Sequence, residues 1–138
     1  MNKTIIKLFL RIGLGIGFLS AVADRLGYWP SGVSAWGNWE NFIAYTGIIN
    51  PWLPNSFIEP AGLIATVAEV LFGFFLIIGF RTEFIAKLSG YLILIFGLSI
   101  AFSTGIKGAL DYSVFAASGA AFALATMKDK FLEIDSIL

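Results

Sequence analysis

The chain has 138 residues, of which 58% are hydrophobic and 13% charged, with zero formal net charge and a mean hydropathy of +0.86. A water-soluble domain of this length needs far more polar surface, and an uncharged balance offers no basic field to attract nucleic acid. The absence of cysteine and histidine excludes disulfides, thiol chemistry, cysteine-bound iron–sulfur clusters and histidine-ligated haem. No metal-site spacing is present, although lone carboxylates can hold a hard cation.

The apolar residues fall in four long stretches, and a spanning helix needs roughly 20 such residues. They predict an all-α integral membrane protein: one domain over 1–138, a four-transmembrane-helix bundle with spans at about 4–27, 57–80, 83–104 and 110–127. A long outer loop over 28–55 carries a short interfacial helix.

In the first span Gly13 and Gly17 lie four apart on one face, where another helix can approach closely. Arg11 interrupts the apolar run and leans toward the helix N-terminus, from which it can snorkel to lipid phosphates. Met1 to Ala23 also has the look of a signal peptide ending in Ala21-Val22-Ala23. Arg11 breaks the apolar core such a peptide needs, so the stretch is read as a span.

The loop that follows holds every tryptophan: Trp29, Trp36, Trp39 and Trp52. Trp36, Trp39 and Ile43 share a helical face and suggest a short helix along the membrane surface, and Asn50-Pro51-Trp52-Leu53-Pro54 is expected to be extended. Anchoring at the headgroup level is the ordinary use of such tryptophans. The other use is a lid of Trp36, Trp39 and Trp52 that stacks on a planar ligand such as a quinone.

Ser56 with Glu59 three residues on reads as a capping box opening the second span. Within that span Gly62, Ala65, Thr66, Glu69 and Gly73 share one face, while Ile64, Val67, Leu71, Phe74 and Ile78 fall elsewhere and suit lipid. Glu69 therefore lies on the packed face, about 15 Å from the helix start at 1.5 Å per residue. Gly79-Phe80-Arg81-Thr82 is a tight turn with Thr82 as N-cap of the third span. The fourth is rich in small residues from Ser113 to Ala121 and is expected to be closely surrounded, with Asp111 at its helix N-terminus.

Lys3, Lys7, Arg81, Lys87, Lys128 and Lys130 gather on one side of the bundle, which the positive-inside rule makes cytoplasmic, with both termini inside. Side-chain lean decides which arginine meets Glu69. Arg25 leans inward from the outer surface and Glu69, on an antiparallel helix, leans outward, whereas Arg11 would have to reach against its lean. The expectation is an outward-opening polar pocket of Glu69, Arg25, Asp24, Asp111 and Arg11, with Glu69 at its floor and Glu59 and Lys107 as further rim candidates. Two roles are open to Glu69: fixing helix packing, or serving as a protonatable functional site.

Arg11-Ile12-Gly13-Leu14-Gly15 through Phe18-Leu19-Ser20-Ala21, Ala68-Glu69 with Gly73, the run Leu76 to Thr82, and Leu110-Asp111-Tyr112-Ser113 together resemble the DoxX family of bacterial membrane proteins. A lysine frequent near the outer end of that family's first span is here Asp24-Arg25. The resemblance implies a four-helix bundle of the bacterial inner membrane, linked to redox or oxidative-stress metabolism. It fits this composition if the chain binds quinone or recruits a redox enzyme partner. Three readings are open: a non-catalytic subunit of such an assembly, a small proton-coupled transporter or permeation protein using Glu69, and a membrane scaffold without ligand. The partner expected is a redox enzyme or, in a homo-oligomer, a second copy of the chain.

Overall fold

The computed structural model describes residues 1–138 and contains no strand. Its helices are α1 (Lys3–Arg25), α2 (Trp39–Ile49), α3 (Asn55–Ile78), α4 (Thr82–Ser103), α5 (Ile106–Asp111) and α6 (Val114–Thr126), followed by a single 3-10 turn at Ile134–Ser136. Three of them, α1, α3 and α4, are long and apolar enough to cross a membrane. Their outward faces carry exposed Phe9, Ile16, Ile64, Phe74, Tyr91 and Phe102, which is how a protein whose solvent is lipid disposes its apolar residues.

The fourth apolar stretch departs from its expected continuous span. Ser113 adopts a left-handed φ of 55° and separates α5 from α6. Asp111, Tyr112 and Ser113 are all exposed at this break. With 13 residues, α6 alone is about 20 Å long, short of the roughly 30 Å hydrocarbon core. Nor is it surrounded. Ser118, Ala121, Leu124 and Ala125 are buried, while Ala116, Gly119 and Ala123 are exposed.

Helices α1 and α3 run antiparallel, and they touch through Gly15 and Gly73. A Cβ on Gly15 would lie 2.8 Å from the Gly73 carbonyl oxygen and 2.6 Å from Ile77. The expected pair behaves differently: Gly13 and Gly17 are exposed and meet nothing within 4 Å. At 100° per residue Gly15 faces away from both, so the spacing identified the small-residue helix but not its packing face. On α4, Gly90 and Gly97 receive Phe122 and Phe115 of antiparallel α6, and the Ser118 hydroxyl donates to the Gly90 carbonyl at 2.8 Å. Phe18, Leu76, Ile85, Ala86, Ile93, Leu124 and Ala125 form the main apolar core between these helices.

The loop helix α2 is present and is capped by the Asn38 side chain, which accepts from the Asn41 backbone N–H at 2.8 Å. It seats Phe42, Thr46 and Ile49 against the ends of α3 and α4. Gly62 makes room for Phe42 and Ile43, and the Ser99 hydroxyl donates to Asn50 at 3.0 Å. The following segment is a turn rather than extended: the Leu53 backbone N–H donates to the Asn50 carbonyl at 3.0 Å, with Pro51 at a position that suits its fixed φ.

Two caps also differ from expectation. Helix α3 starts at Asn55 without a side-chain cap, so Ser56 and Glu59 form no capping box. Thr82 is the first residue of α4 and does not cap it. The cap comes from the far end of the chain, where Asp135 accepts from the backbone N–H groups of Arg81 at 2.6 Å and Thr82 at 2.8 Å. Local sequence cannot announce a cap contributed from some fifty residues away.

Candidate functional site

The expected polar residues separate into four places. At one end of the bundle, Arg25 on α1 and Glu69 on α3 form an ion pair whose side chains are 2% and 4% exposed. Antiparallel packing and opposed lean bring them together. The Arg25 guanidinium also donates to the Thr66 hydroxyl at 2.7 Å, and that hydroxyl in turn donates to the Gly62 carbonyl. Phe42 of α2 lies over the guanidinium at 3.9 Å and Trp36 at 5.3 Å, within cation–π range. Arg25 Nε is buried without a hydrogen-bond acceptor. Glu69 is thus not the floor of an open pocket: α2 closes over the pair.

Asp24, next along the chain, points elsewhere. Its carboxylate accepts from the Ser34 hydroxyl and from the backbone N–H groups of Ala35 at 2.8 Å, Gly37 at 3.3 Å and Trp36 at 3.4 Å. It gathers the turn before α2 and so holds Trp36 above Arg25. Asp24 therefore acts on the buried pair through the loop, without touching it.

Asp111 is exposed and pairs with Lys107 one helical turn away. It is the last residue of α5, not the first of a helix, and it stands apart from Glu69. Glu59 meets only Trp39, whose indole N–H donates to it at 3.5 Å.

Arg11 lies in the first half of α1, away from Arg25, and is fully buried, so it does not snorkel. It donates to the carbonyls of Leu76 at 2.9 Å and Ile77 at 2.8 Å, and to those of Phe131 and Leu132 at 3.0 Å each. Glu133 lies 3.5 Å away and also meets Lys7 at 2.8 Å. The last carbonyls of α3 lack intrahelical donors, and Arg11 satisfies two of them while tying down the C-terminal strap. Gly79 turns at this point with φ 71°, and a Cβ there would strike Arg11 and Glu133 at 2.7 Å. Both its backbone conformation and the crowding require glycine.

The tryptophans divide too. Trp36 packs edge-on against Phe42 with centroids 5.2 Å apart, and Trp39 is tilted against the same ring at 5.4 Å. Trp52 is 55% exposed and takes no part in the cover. Trp29 donates to the Ser20 hydroxyl at 3.1 Å and its carbonyl at 3.2 Å. With Trp36 it lines an open groove of about 420 Å³, together with Gly17, Ser20, Ala21 and Asp24. The sequence reading passed over Trp29, Phe42 and Thr66 as site residues. Phe42 and Thr66 each lie three positions from an expected site residue, Trp39 and Glu69, so helical spacing held the signal.

Comparison of the chain with protein-family models, with curated proteins and with solved structures finds no match in any of the three.

Proposed function

We propose that the chain is a DoxX-like, four-span protein of the bacterial inner membrane, the non-catalytic membrane subunit of a redox or oxidative-stress assembly, and that it holds a quinone from its outer side. In this reading α5 and α6 together make the fourth span as a broken helix, and both termini are cytoplasmic. Lysine and arginine are concentrated at the end bearing the termini, in keeping with that orientation.

The observation that carries the ligand is the groove between Trp29 and Trp36. Its volume of about 420 Å³ falls in the range of small-molecule sites. The indoles offer flat apolar surface to the groove, and Ser20 and Asp24 add polar groups to its lining. The exposed surface at Gly17 and Gly13 continues from the groove along α1, giving an isoprenoid tail a path into lipid.

Gly17→Leu tests this. Nothing lies within 4 Å of a Cβ at Gly17, so leucine fills the groove without disturbing the bundle. Stoichiometric quinone in lipid extracts of the purified protein, lost in Gly17→Leu at unchanged thermal stability, is the expected result. Absence of quinone from the unaltered protein, or equal amounts in both, would eliminate the ligand. The redox assembly is tested separately by whether a redox enzyme copurifies from gentle detergent.

A second reading rests on Glu69. A buried carboxylate held by one arginine under an aromatic cover, with Arg25 Nε free of any acceptor, suits proton-coupled passage of a small solute. Proton-dependent uptake into proteoliposomes, abolished in Glu69→Gln at a temperature where that variant is shown to be folded, would favour it. Uptake indifferent to that substitution would remove it.

A further inference from the structure

At the end of the bundle carrying both termini, α1, the start of α4 and the C-terminal strap enclose a second cleft, of about 590 Å³. Lys7, Arg81, Lys87, Lys128 and Lys130 line it. Three carboxylates line it as well, but each is already engaged. Glu83 is shared by Lys87 and Lys128, and Glu133 by Lys7 and Arg11. Asp135 is held by the backbone N–H groups of Arg81 and Thr82. The lining thus sets five cationic side chains against three acidic ones. The Arg81 guanidinium forms no ion pair or hydrogen bond, and Lys130 spends its ammonium on a neutral carbonyl, that of Asp135, at 2.6 Å. The cleft is therefore net cationic although the chain as a whole is neutral.

An apolar path leads out of it. Phe84 lines the cleft and is 56% exposed, and Tyr91 and Ile95 are both 58% exposed. Spacings of seven and four place the three on one stripe of α4. A soluble anion has no use for that stripe, whereas acyl chains do.

We propose that this cleft binds the phosphate-bearing headgroup of an anionic phospholipid, with its acyl chains lying along the Phe84–Tyr91–Ile95 stripe. Arg81 and Lys130, neither of them in an ion pair, are the cations that meet the phosphate, and the paired lysines supply the surrounding field. The inference does not depend on any ligand in the outer groove. It needs only that the bundle sits in a membrane with this end at an interface, where juxtamembrane cations attract anionic lipid.

The test uses the full chain reconstituted in phosphatidylcholine bilayers, with and without phosphatidylglycerol. The unfolding midpoint of the unaltered protein should rise when phosphatidylglycerol is present, and the rise should shrink at high salt. The double variant Arg81→Gln/Lys130→Gln should lose most of that rise, measured for each protein against its own midpoint in phosphatidylcholine alone. Arg81→Lys, which keeps the charge, should retain most of it. Mass spectrometry of the protein released from the bilayer should find phosphatidylglycerol retained by the unaltered chain and depleted several-fold in the double variant. Equal shifts and equal retention in both proteins, or no shift in either, would overturn the proposal. So would an equal shift produced by inorganic phosphate in phosphatidylcholine, because the site would then take a soluble anion.

Discussion

Arg25 and Glu69 neutralise one another inside the bundle, side chains 2% and 4% exposed, and Phe42 seals the guanidinium at 3.9 Å. A buried ion pair is expensive to assemble but more expensive to half-remove, since one partner left alone is an uncompensated buried charge. This asymmetry separates a structural pair from a functional one.

Glu69→Gln keeps the shape and removes the charge. It is expected to destabilise the protein by about 3–5 kcal/mol, read from unfolding in detergent. An apolar double replacement, Arg25→Met/Glu69→Met, should recover most of that loss. If the double variant is stable yet inactive in whatever assay the protein satisfies, the pair has a function beyond packing. A single variant as stable as the unaltered protein would refute the buried-charge account.

Gly15 and Gly13 should respond in opposite directions to alanine. At Gly15 the new methyl would meet Ile77 at 2.6 Å and the Gly73 carbonyl oxygen at 2.8 Å, an overpacking worth about 1–3 kcal/mol of destabilisation. At Gly13 nothing stands within 4 Å, and alanine should be neutral or stabilising by up to about 1 kcal/mol through helix propensity. Thermal unfolding of the two variants side by side decides the matter.

The strap after α6 hangs on Arg11. Lysine at that position keeps the charge but cannot reproduce donation to the carbonyls of Leu76, Ile77, Phe131 and Leu132, because it lacks the planar fork. Arg11→Lys should therefore expose residues 129–136 to hydrogen exchange and protease while α4 stays protected. Unchanged protection of the strap would show that Lys7 and Glu133 hold it without Arg11.

Docking of the strap should also fail in acid. Desolvation alone would push the Asp135 carboxyl up, but the backbone N–H groups of Thr82 and Arg81, the Thr82 hydroxyl and the charge of Lys130 outweigh it and hold the group below the usual carboxylate range. A depressed native pKa means that the unfolded strap binds the proton more readily. Its contribution is thus complete above the ordinary aspartate pKa, about 3.9, and fades as pH falls through the lower native value. The protection of Ile134–Ser136 against hydrogen exchange, relative to the intrinsic rate at each pH, should fall over that window, and Asp135→Asn should have lost it already at neutral pH. Identical pH profiles for the two proteins would rule Asp135 out as the anchor.

Much of the architecture was legible in residue order because it depends on local pattern. Apolar stretches of the right length marked α1, α3 and α4 within a few residues, and helical spacing put Gly62, Thr66, Glu69 and Gly73 on the buried face of α3. Side-chain lean chose Arg25 over Arg11 as the partner of Glu69, since the direction of a helical side chain follows from the backbone alone. The break at Ser113 was missed because Asp111-Tyr112-Ser113 reads equally well as the polar opening of one continuous helix, and only the turn's backbone reveals it.

The remaining assignments required contacts between distant segments. Asp24 was expected beside Glu69 but serves the turn at Ser34–Gly37 and lines the groove next to it, and Arg11 looked like a lipid anchor but serves the C-terminal strap. A charged side chain buried in apolar surroundings goes to whichever unsatisfied groups folding brings within about 3 Å, and residue order does not state which carbonyls or amides those will be. Sequence by itself determined that this chain has helices long and apolar enough to cross a membrane and ionisable groups at set positions along them. Tertiary structure decided which of those groups hold the bundle shut and which leave an open groove or an unspent charge, because hydrogen-bond satisfaction is a property of the assembled neighbours.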